Sequence, residues 1–144
     1  MRTPADYLAL ARAEEDSDAL QNLARCPYPF GWQALASNPH TPPAALRELT
    51  TARDSVWNDN RLLRLLAEHP GADLRVLRAV LDAVATKLAE GERPYAAVLA
   101  LADRLELEAD ELRKLGTFQG ASARLRHLLD LRLSTRIRQT PPTA

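Results

Sequence analysis

One phrase, leucine-alanine followed by two residues and a proline, occurs three times: Leu23-Ala24-Arg25-Cys26-Pro27, Leu35-Ala36-Ser37-Asn38-Pro39 and Leu66-Ala67-Glu68-His69-Pro70. Proline has no N–H to donate and pushes the residue before it out of the α region, so each Leu-Ala pair marks the last turn of a helix and each proline its stop. After two of the stops a new helix starts quickly, at Thr41-Pro42-Pro43 and near Asp73. The unit is helix, proline corner, helix. Helices this short are marginal alone, so each must lean on its neighbours.

The rest of the chain allows little besides helix. Alanine and leucine dominate an apolar content of 46%, isoleucine occurs once, at Ile137, and the 5 glycines are scattered where hairpins would need them paired with turn residues. A chain of 144 residues suits one domain, which would bury about 70% of its unfolded surface, and is too short for two independent cores. The expectation is a single all-α domain over residues 1–144.

Along the chain, Thr3 caps a first helix with Pro4 at its first position and Asp6 at the positive end of its dipole, running to about Arg12. Asp16 and Ser17 cap a second helix ending at Ala24, and residues Phe30 to Ala36 form a third. Thr41 is expected to cap the fourth, with Pro42 and Pro43 in its first turn and Leu46 and Leu49 inward. Thr51 to Asn60 lacks periodicity and reads as a loop, with Asn58, Asp59 or Asn60 capping a helix through Leu62, Leu63, Leu65 and Leu66. From Asp73, residues Leu74, Leu77, Val80, Leu81, Val84 and Leu88 share one face over four turns, and Gly91 ends that helix. Arg93-Pro94 opens another, with Val98, Leu101 and Leu105 inward, and Ala109 to Leu115 forms one closed by Gly116. In the last helix Leu125, Leu128, Leu129, Leu133 and Ile137 face one way, and Arg124, Arg126, Asp130 and Arg138 the other. Residues 139–144, with Pro141-Pro142, read as a loose tail.

Aligned on the second and third stops, Asn38-Pro39-His40-Thr41-Pro42 faces His69-Pro70-Gly71-Ala72-Asp73, and each proline precedes a leucine by seven residues, Leu46 and Leu77. This pattern, from about Asp18 to Val84, resembles the variant leucine-rich repeat of bacteria, a relative of the HEAT-type α-solenoids. The stops are 12 and 31 residues apart, so the register departs from a regular repeat. The resemblance implies short alternating helices stacked into a right-handed superhelix that presents a surface to a partner. Residues 16–89 would then be the repeat-like part and residues 93–138 a C-terminal helical cap, which a stack needs to cover its last face.

Cationic and acidic residues both number 19, so no net charge draws the chain to nucleic acid or an anionic membrane. The ends differ, however. Residues 1–20 hold Arg2 and Arg12 against five acids, while residues 113–138 hold seven cations against Asp130. Cys26, the single cysteine, builds neither a disulfide within the chain nor a thiolate zinc site. A reducing compartment, the cytoplasm, is expected, with no signal peptide and no membrane contact.

No pattern of nucleophile and base or of metal ligands stands out. His40 and His69 sit at proline corners as caps or solvent-facing groups, and His127 has no partner at ligand spacing. Glu106, Glu108, Asp110 and Glu111 suit a helix start, and Glu108, Asp110 and Glu111 argue against reading Arg93 to Leu115 as a DNA-binding helix-turn-helix. No catalytic, cofactor or metal site is therefore expected; an enzyme would need carboxylates brought together by folding. The expected function is a non-catalytic protein-interaction module. Trp57 with Arg53 on the irregular stretch has interface composition, set against Trp57 folding back as a plug; Trp32 is expected in the core. The alternative is nucleic-acid binding through Arg124, Arg126, Arg132, Arg136 and Arg138.

Overall fold

A computed structural model describes residues 3–139. The side chains of 137–139 are not described, so the expectations for Ile137, Arg138 and the tail from Thr140 lie outside the described residues. Among those residues there are nine α-helices and no strand: α1 Pro4–Ala13, α2 Ser17–Leu23, α3 Pro29–Ser37, α4 Pro43–Leu49, α5 Val56–Glu68, α6 Leu74–Ala89, α7 Tyr95–Ala102, α8 Ala109–Arg113 and α9 Ala123–Gln139. A single 3-10 turn, Lys114–Thr117, follows α8. Helix α9 thus extends one residue into the expected tail.

Most starts follow the local chemistry. Thr3 and Asp6 form a reciprocal capping box, and Asp16 and Asp73 each accept a backbone N–H from the first turn of their helix. Gly91, with φ +88°, takes the left-handed conformation just past the end of α6. Gly120 is demanded by proximity: its N–H donates to Leu88 O at 2.7 Å, and a Cβ there would lie 2.2 Å from Glu92 O. Any side chain would force the start of α9 away from the end of α6.

Packing runs between alternate helices. α1 lies on α3, α3 on α5, α5 on α7 and α7 on α9, while α2 lies on α4 and α4 on α6. Contacts of α5 and α7 with α6, and of α8 with α7 and α9, join the two sets. One cluster of buried side chains continues from Ala11 and Leu20 to Leu129 and Leu133. Helix α7 is apolar on nearly every side, with Ala97, Val98, Leu101 and Ala102 fully enclosed, as expected of a helix with neighbours all round.

The Leu-Ala pairs take on a second meaning here. Leu35-Ala36, Leu66-Ala67 and Leu101-Ala102 end α3, α5 and α7, and Leu10-Ala11 stands in the last turn of α1. Leu23-Ala24 ends α2, in the other set of helices, so it is not in register with them. After each of the three later pairs a polar side chain reaches back to the preceding corner. Asn38 Nδ2 donates to Ala11 O and Glu14 O, both at 2.9 Å. His69 Nε2 meets Asn38 O at 2.7 Å, and its Nδ1 accepts the Gly71 N–H at 2.9 Å, which fixes the neutral tautomer with the proton on Nε2. Arg104 donates to Ala67 O, His69 O and Ala72 O, and Arg136 to Leu107 O. Asn38 and His69 are both almost fully enclosed. These bonds satisfy carbonyls that helix ends leave open.

Several expectations are corrected. Thr41 does not cap α4: it is buried and donates from Oγ1 to Leu35 O at 2.7 Å, and α4 starts at Pro43 with Pro42 at the N-cap and no side-chain cap. His69 is not solvent-facing, since both ring nitrogens are used inside. Leu74 and Leu105, expected inward, stand 44% and 58% exposed, because α6 turns its next face, with Val76, to the core and α7 stops at Ala102. Gly116 closes no helix in the left-handed region; it lies within the 3-10 turn under the Arg126 side chain. Trp32 is half-buried, donating from Nε1 to Cys26 O at 2.7 Å. No helix of the described residues is long and apolar enough to cross a membrane.

Candidate protein-binding face

Trp57 does not sit on a loop. Ser55 accepts the Asn58 N–H and starts α5 at Val56, and buried Asp59 accepts the Asp54 N–H at 2.7 Å. The polar residues that broke the periodicity are thus the cap itself. Trp57 lies in the first turn, with Arg61 one turn on and Arg64 beyond it, on one side of the helix. The indole is 68% exposed, so it is no plug, and the Arg61 guanidinium stands 5.7 Å from its ring centre. That distance places a cation over the π-face.

Two grooves flank this residue pair. One, of about 410 Å³, lies among α1, α3 and α5; Leu8, Phe30 and Leu65 supply apolar wall, with Arg12 and Arg61 beside them. The other, of about 260 Å³, lies between α5 and the start of α7, walled by Trp57 and Tyr95, with Arg61, Arg64 and Arg93 around it. Arg61 belongs to both. No Asp or Glu lines either groove, and among the described residues Arg12, Arg61 and Arg93 make no ion pair; Arg64 lies 4.0 Å from Glu68. Tyr95 is held rigidly, its hydroxyl donating to Gly120 O and accepting from Ser122 N–H. The buried Oδ1 of Asn60, in the wall of the second groove, has no hydrogen-bond partner among the described residues.

Arg53, expected to work beside Trp57, is elsewhere. Its Nη1 donates to Thr50 O and Ala52 O at 2.8 Å, closing the end of α4. It lines a third groove, of about 530 Å³, with Asp54, Asp59, Asp82, Glu90 and Glu92. Of these three grooves, one is rich in carboxylates and two are lined by arginine without them.

The arginines of α9 are mostly engaged within the molecule. Arg126 bonds to Ala121 O at 3.2 Å, Arg132 pairs with Asp103 at 2.6 Å, and Arg136 donates to Leu107 O; Arg124 stands exposed. His40 and His127 are exposed, and no group of three His, Cys, Asp or Glu side chains among the described residues is placed to hold a metal ion. Burial pushes the Cys26 thiol up, and its bond to Arg104 holds the Glu106 carboxyl below the usual range. Neither group lines the two arginine grooves. Comparison with models of protein families, with curated proteins and with solved structures found no match.

The signal that the sequence held for this site was the spacing Trp57, Arg61, Arg64, which is one helix face only if α5 begins before Trp57. Arg12, Phe30 and Arg93 carried no such signal, since tertiary packing alone brings them alongside.

Proposed function

We propose that the chain is a non-catalytic protein-interaction module, a stack of short helices related to the HEAT-like solenoids, capped at its C-terminal end and working in the cytoplasm. The pairing of each odd-numbered helix with the next, tied corner to corner by Asn38, His69 and Arg104, supports the stack. The binding role rests on one observation: Trp57 and Arg61 are presented together where two carboxylate-free grooves meet. Tryptophan and arginine are the side chains that most often dominate binding energy at protein interfaces.

Capture of partners from the native cell, after nuclease treatment, tests this with the wild-type chain and with Trp57→Ala and Arg61→Ala. Each truncation is expected to weaken the captured complex by about 2 kcal/mol, roughly thirtyfold in affinity, with the helical circular dichroism unchanged. Equal recovery by wild type and variants, or recovery abolished by nuclease, overturns the reading.

A further inference from the structure

Resting on that protein-binding reading, we infer that the occupant of the face is a short acidic segment of the partner in the extended polyproline II conformation, with two apolar side chains about three residues apart and Asp or Glu around them. The charge argument comes first. Both grooves are lined by arginine and by no carboxylate, although the chain as a whole has as many acids as bases. Arg61 lies between the grooves, so a carboxylate entering there meets a guanidinium that makes no ion pair among the described residues. Its planar fork accepts a carboxylate in two parallel hydrogen bonds.

The spacing comes from the packing. Neighbouring helices lie about 8–10 Å apart, so the α3–α5 groove and the α5–α7 groove are offset by about one such step. A chain in the polyproline II conformation covers that step in about three residues and, with about three residues per turn, brings side chains that far apart back to the same face. One apolar side chain would meet Leu8, Phe30 and Leu65, and the next would meet Trp57 and Tyr95. Between them the acids face Arg61, and beyond them Arg12 and Arg93 wait on either side.

A long polyanion fits less well. The chain as a whole has as many acids as bases, so it offers no net attraction to a run of phosphates.

The test uses the full chain and a fluorescein-labelled synthetic peptide of about twelve residues, with two leucines on the inferred spacing and Asp or Glu around them, read by fluorescence anisotropy. Companion probes carry lysine for every acid, leucines side by side, or a single-stranded oligothymidine instead of peptide. The acidic peptide with spaced leucines is expected to bind best. Arg61→Glu with Arg93→Glu should weaken it at least about tenfold, while Arg47→Glu with Arg75→Glu, beside the groove between α4 and the start of α6, should leave it unchanged. The inference is overturned if the charge reversal at Arg61 and Arg93 has no effect, if leucine spacing makes no difference, or if oligothymidine binds more tightly than every peptide. Partners captured from the native cell separate the two levels of the argument. Capture that depends on Trp57 but is not displaced by the acidic peptide keeps the interaction module and removes the acidic chemistry; capture independent of Trp57 removes both.

Discussion

His69 carries the most information per atom. It is 2% exposed, both ring nitrogens are committed, and burial holds its pKa below the ordinary 6.5, helped by the nearby Arg104 cation against the pull of Asn38 O. A second proton would have to go on Nδ1, which already accepts the Gly71 N–H. The sign follows from linkage: the unfolded chain binds that proton from about pH 6.5 downward and the folded chain resists it, so the stability His69 contributes is full above that pH and declines as the pH falls toward the folded value. Urea unfolding across this window should give a wild-type slope that His69→Gln lacks, while His127→Gln, at an exposed site, keeps it. The sequence showed a histidine at a proline corner, which suggested a cap. It could not reveal that the corner is enclosed, because the residues enclosing it come from α3 and from the turn after α7.

At the level of the element, starts written in one or two residues were legible and starts written in a cluster were not. Thr3, Asp16 and Asp73 cap the helices expected of them, because a single side chain satisfies a free N–H three residues on. The start of α5 is shared among Ser55, Asn58, Asp59 and Asp54, a run of polar residues that imitates a loop in sequence. Thr41 failed the other way, its hydroxyl drawn to Leu35 O rather than to the helix ahead. The capping role of Ser55 is testable. Ser55→Ala should cost about 1 kcal/mol of stability in urea unfolding and fray the turn that carries Trp57, whereas Ser17→Ala, at the first position of α2 and not its cap, should be nearly silent.

For the whole molecule, the question is whether stability is passed along a row or pooled in one centre. If the helices act as a row, each corner bond ties only adjoining units, and stability is a sum of neighbour terms. Asn38→Ala, which removes the donor to Ala11 O and Glu14 O, should then raise amide hydrogen exchange in α1 to α3 and leave α7 to α9 as slow as before. A uniform increase across all helices would mean a single cooperative core. The helical class, most helix ends, the inward face of α6 from Leu77 on and that of α9 as far as Leu133 were determined by the sequence alone, because proline stops, caps and the 3.6-residue period act within a few residues. The tertiary structure alone decided which Leu-Ala pairs share a register, that Arg53 closes α4 while Arg61 faces Trp57, and that Arg12, Phe30 and Arg93 line the two grooves that meet at Arg61. Each of those outcomes depends on which helix lies beside which, and residues that far apart in the chain leave no local trace of meeting.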